Sequence, residues 1–169
     1  MSQFDIQQFF DLALQHHKAG RLSEAEILYR KILGQKPGHF EAWHNLGVIA
    51  IQAGQNDIAV DLIRSAIALR PNWPEAYSNL GNAFKNAGQL DEAISAHRKS
   101  VALGPGNAAF HRTLGNTLRD KGQVDEAIAA YRQAITLNRP SNRKCAADDN
   151  RPVRRIAITI ERGVEVRAN

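Results

Sequence analysis

Residues 40–73 read FEAWHNLGVIAIQAGQNDIAVDLIRSAIALRPNW. Trp43, Leu46, Gly47 and Ala50 stand at i, i+3, i+4 and i+7, one stripe of a helix. Gly54 closes that stripe, where a left-handed residue stops a helix without strain. Ala59, Ile63, Ala66 and Leu69 make a second stripe. Pro71 ends it, because the residue before a proline avoids helical backbone. The stretch predicts two helices, A and B, joined by a tight turn.

Outward from this stretch the pattern returns every 34 residues. Gly20, Gly54, Gly88 and Gly122 keep the interval, as do Ala25, Ala59, Ala93 and Ala127. So do Pro37, Pro71 and Pro105, and Leu12, Leu46, Leu80 and Leu114. Ala13, Gly47, Gly81 and Gly115 follow the leucines at once. The repeats run over about 6–39, 40–73, 74–107 and 108–141, and residues 142–169 form a basic tail. Glycine inside a helix costs roughly 1 kcal/mol relative to alanine, so Gly47, Gly81 and Gly115 predict a second helix crossing at short range. Asp91-Glu92 and Asp125-Glu126 recur in phase and suit the first turn of helix B, opposing its dipole. The fold class is all-α.

Trp43-x-x-Leu46-Gly47-x-x-Ala50, then Ala59, Ile63 and Pro71, resembles the tetratricopeptide-repeat (TPR) signature. Repeat 3 supplies Tyr77, Leu80, Gly81, Phe84, Ala93, His97 and Pro105 in the same columns. The resemblance covers residues 6–139 and implies a right-handed superhelical solenoid of four helix-turn-helix repeats that binds proteins. Repeat 1 departs with Phe9 and Ala13, and repeat 4 with His111 in the aromatic column and Arg139 where a proline was due. The segment Ala13–Leu33, with His16, His17, Gly20, Arg21, Ala25 and Tyr29, resembles the opening repeat of bacterial proteins in which such an array precedes a glycosyltransferase domain of the O-linked N-acetylglucosamine transferase type. The chain has no transferase domain, so this resemblance implies ancestry, with a truncated or frameshifted array, inactive alone, as the alternative reading.

Charge is uneven. Residues 1–139 carry 15 Lys+Arg against 13 Asp+Glu, and residues 140–169 carry 7 against 4, so the basic surplus belongs mainly to the tail. Contact of Arg151, Arg154 and Arg155 with nucleic acid ranks low, since no aromatic residue accompanies them for stacking. A single cysteine, Cys145, rules out an intramolecular disulfide and fits a reducing compartment. No secretory signal and no bilayer-spanning run is read, so the expected localisation is cytoplasmic and no membrane partner is expected.

Catalytic chemistry is not legible. His16 and His17 are adjacent and point to different sides of a helix, and the lone cysteine stands in the tail, so no metal site is expected. Gly104-Pro-Gly106 with Ala109 follows no strand and falls on a turn between repeats, so no cofactor is expected either. The expectation is a binding protein and not an enzyme.

The resemblance implies that the A helices line a groove. Its expected residues are Phe10 and Leu14 in repeat 1; His44, Asn45, Val48 and Ile51 in repeat 2; Asn79, Asn82 and Lys85 in repeat 3; and Arg112, Asn116 and Arg119 in repeat 4. Asn45 and Asn79 share one column, Asn82 and Asn116 another, three residues on. A carboxamide offers donors and an acceptor together, which match a peptide backbone whatever its sequence. Such a ladder is similar to the inner face of the transferase arrays. Phe10, Leu14, Val48 and Ile51 make one half apolar, while Lys85, Arg112 and Arg119 make the other basic. The carboxylate clamp of co-chaperone arrays is absent: its five positions carry His44, Val48, Asn79, Ala109 and Thr113, and only the asparagine matches.

After Pro140 the pattern stops. Ile156, Ile158 and Ile160 alternate, as do Val164 and Val166, around Arg162-Gly163, so the tail reads as disordered or as a marginal hairpin. No helix is visible to cover the fourth repeat, whose stripe includes Ala127, Ile128, Tyr131 and Ile135. Part of that stripe is expected to stay wet and to promote self-association.

Overall fold

A computed structural model describes residues 3–138 as eight helices: α1 (Gln3–Lys18), α2 (Leu22–Gln35), α3 (Phe40–Gln52), α4 (Asn56–Leu69), α5 (Pro74–Asn86), α6 (Leu90–Leu103), α7 (Ala108–Asp120) and α8 (Val124–Asn138). Odd-numbered helices are the A helices and even-numbered ones the B helices. The features expected of the tail fall outside the described residues.

The turns show why A and B separate where they do. Gly54 and Gly88 have φ of +74° and +78°, in the left-handed region. Gln55 N donates to Ala50 O at 2.8 Å and Gly54 N to Ile51 O at 3.0 Å, which satisfies two carbonyls orphaned at the end of α3. The same pair of bonds closes α5, from Gln89 N to Phe84 O and from Gly88 N to Lys85 O. At the helix starts, His39 Nδ1 accepts from Ala42 N and Asn107 Oδ1 from Ala109 N. Pro74 opens α5, where its missing N–H costs nothing.

Helices A and B of repeats 2 to 4 touch through the in-helix glycines. A Cβ added at Gly47 would lie 2.5 Å from Ile63 Cγ1, one at Gly81 2.6 Å from His97, and one at Gly115 2.7 Å from Tyr131. The expected close crossing is present in all three. Ala13 takes that place in repeat 1 and is fully buried, as is Tyr29. The core is a row of small clusters between neighbouring helices, rich in alanine: Ala59, Ala76, Ala83, Ala93 and Ala96 all belong to the central one.

Two details differ from the sequence stripes. Leu69, the last member of its stripe, is exposed, because it stands in the final turn of its helix. Ala42, Ala76 and Phe110, one place before the aromatic column, are more deeply buried than Trp43, Tyr77 and His111. Trp43 and His111 instead cap the preceding turn: Trp43 Nε1 donates to Pro37 O at 2.8 Å, and His111 Nε2 lies 2.9 Å from Pro105 O. A ring N–H is the shared requirement, so histidine substitutes for tryptophan without losing the bond.

Candidate functional site

The A helices contact one another in sequence, α3 with α5 and α5 with α7. Side chains join them by one rule. His44 bonds to Asn79 and Lys85 pairs with Asp120, and Gln52 stands at the same spacing from His17, whose pKa it helps to raise against the lowering by burial. In each case the partner lies 35 residues on, one residue beyond the repeat period. The sequence columns, compared at 34, do not display this offset.

His44 is placed differently from expectation. It is buried, only 8% exposed, with its ring 4.4 Å from that of Trp73. Asn79 Nδ2 donates to His44 Nε2 at 2.8 Å, so the imidazole is neutral and carries its proton on Nδ1. Burial, helped by the charge of His17, lowers its pKa to about 4. His44 therefore holds Asn79 in place. Phe10 also turns inward, with its ring 4.8 Å from His39 and 5.9 Å from Tyr29. Ile51 packs on the central cluster. Leu14 and Val48 stay half-buried.

The asparagines do not behave alike. Asn79 spends a donor on His44 and keeps its carbonyl oxygen. Asn116 does the reverse: its Oδ1 accepts from Tyr131 Oη at 2.8 Å, and its amide hydrogens remain. Asn45 and Asn82 are half-buried and bond to no described residue.

In the basic half a single acid is shared by two of the three cations. Asp120 pairs with Lys85 at 2.8 Å and with Arg119 at 2.9 Å, and these bonds hold its carboxyl below the usual range. Arg112 is exposed and pairs with no described residue. Among the described residues, no cluster of three or more His, Cys, Asp or Glu is arranged to hold a metal. No described helix is long and apolar enough to cross a membrane.

Tetratricopeptide-repeat family models match residues 16–82 and 78–143. The chain belongs to the tetratricopeptide-repeat family. Those models describe repeats alone, so the likeness of this TPR array to transferase arrays rests only on the residues quoted for it. Among solved structures, the array is similar to MamA 41-end from Desulfovibrio magneticus RS-1, at 25% identity over 81% of this chain and 77% of that one, with a TM-score of 0.74. It also resembles TTC0263, a thermophilic TPR protein in Thermus thermophilus, at 24% identity, 79% and 74% coverage and a TM-score of 0.69. No curated protein matches the chain.

Proposed function

We propose that the array is a scaffold whose A-helix face holds an extended segment of a partner protein. The observation that supports this reading most is the fixing of Asn79 and Asn116 by His44 and Tyr131. Each side chain is immobilised before a ligand arrives, so less rotamer freedom is lost on binding. Asn79 presents an acceptor to a peptide N–H, and Asn116 presents donors to a peptide C=O. Each such bond contributes about 0.5–1.5 kcal/mol, enough for recognition only when several act together. Arg112 adds a preference for an acidic residue near the Asn116 end. The work is assigned to the cytoplasm, which suits a chain with one cysteine.

The test replaces Asn79, Asn82 and Asn116 by alanine in the full chain. Peptides selected from a random display library on the wild-type protein provide the probes. The triple variant keeps its helical circular dichroism, because alanine is the better helix former, and loses most of its affinity for the selected peptides. Undiminished binding of the same peptides by the variant would discard the groove reading.

A further inference from the structure

Between consecutive B helices lies a gap floored by an A helix. In the gap between α4 and α6, Arg64, Tyr77, Leu80, Phe84 and Glu92 line the walls. Residues in the same columns line the gap between α2 and α4: Arg30, Trp43, Leu46, Ala50 and Ile58, around a cavity of about 500 Å3.

Three features change together at this first gap. Phe84 narrows the second gap, whose cavity is about 380 Å3, and Leu118 occupies the same column of repeat 4, but the first gap has Ala50. Glu92 and Glu126 are replaced by Ile58, an aliphatic side chain left 52% exposed. Arg98 reaches across the third gap to Glu126 at 2.6 Å, whereas Arg30, facing Ile58, turns back along its own helix to Glu26 at 2.7 Å. One change removes bulk, one removes an acid, and one leaves an exposed arginine at the rim with no acid across the gap.

We infer that the gap between α2 and α4 is a docking site for a phenylalanine-sized apolar side chain of a partner protein, with a carboxylate beside it for Arg30. The chain itself shows what fits: Phe84 takes up part of the next gap, leaving about 380 Å3, and Glu126 engages the equivalent arginine after that. The cavity falls within the few hundred to roughly 1,000 Å3 usual for binding pockets. This site is on the face away from the asparagines and stands apart from the groove reading.

The experiment is an NMR titration of the full chain, followed at methyl and indole signals, with N-acetyl-phenylalanyl-glutamate amide. Saturable shifts are expected at Ile58, Leu62 and Trp43. The alanyl-glutamate probe binds at least about tenfold more weakly, since the apolar burial is gone. The phenylalanyl-lysine probe binds about threefold more weakly, the size of an exposed ion pair. Ala50→Phe narrows the cavity as Phe84 narrows the next one, keeps the helical spectrum and weakens the shifts. Ile58→Glu changes a half-exposed side chain, folds normally and loses them. The Asn79, Asn82 and Asn116 triple variant keeps them, which separates this site from the groove. No saturable shift in the wild type, or undiminished shifts in Ala50→Phe, would overturn the inference. So would indole saturating the cavity while the dipeptide does not, since that marks a small-molecule pocket.

Discussion

His97 is fully buried, and neither ring nitrogen reaches a hydrogen-bond partner among the described residues. Burial, with the charge of Lys85, lowers its pKa to about 4, and His44 is lowered to about 4 as well. Between pH 6.5 and 4 the unfolded chain takes up protons that the folded chain refuses. Stability is therefore complete above pH 6.5 and falls as the pH drops through that window, by on the order of 3 kcal/mol for each histidine. Urea melts at pH 7 and pH 4.5 should show the loss. The same column in repeat 4 carries Tyr131, bonded to Asn116, and Asn82 stands one period before Asn116. His97→Tyr should find Asn82 and remove the His97 share of the acid sensitivity. A variant as acid-sensitive as the parent would mean that His97 is not held neutral. Gly81 supplies a second prediction. Its Cβ would strike the His97 ring, so Gly81→Ala should cost about 1–3 kcal/mol in a urea melt. Gly88→Ala meets open space but keeps a positive φ, and should cost about 1–2 kcal/mol. Adding His97→Ala should offset part of the Gly81 penalty and none of the Gly88 penalty. The role of Gly81 was legible because glycine recurs where it harms a helix. The isolation of His97 was not, because it depends on a bond that Asn82 fails to make.

Helix ends were legible to within a residue or two, since Gly54 and Pro71 are backbone signals that tertiary packing does not override. Burial along a helix was less so, because it depends on what the next element covers. α8 shows this. Ile94 in α6 is 5% exposed beneath α7, whereas Ile128, its counterpart, is 42% exposed and Ile135 59%. The expectation of a wet fourth stripe holds for these two, while Ala127 is buried. Amide exchange should accordingly be slowest in α4 and α6 and faster in α8, because an element with fewer buried apolar contacts opens at lower free energy. Ile128→Gln should change stability by less than about 0.5 kcal/mol, as exposed substitutions do. A larger loss would show that this face is covered in solution.

Across the array, the sequence columns overstated the positive charge carried by Lys85 and Arg119. Lys85 and Arg119 looked free because their common partner, Asp120, lies 35 residues from one and adjacent to the other. Asp120→Asn should release both cations. A labelled oligoglutamate should then bind more tightly to the variant, with a steeper dependence on salt, while the melting temperature changes little, because exposed ion pairs contribute about 0–1 kcal/mol. Equal binding by the two proteins would show that Asp120 does not mask the basic end. The bonds from His44 to Asn79 and from Lys85 to Asp120 have a further consequence. Each joins a side chain to the repeat that follows, so the repeats are not interchangeable modules. Exchanging repeats 2 and 3 would set His44 before Thr113 and Lys85 before Gln52, and every helix would still form. The order of the units is written in these joints, and recombination that shuffled whole repeats would keep the solenoid while breaking the bonds that join one A helix to the next.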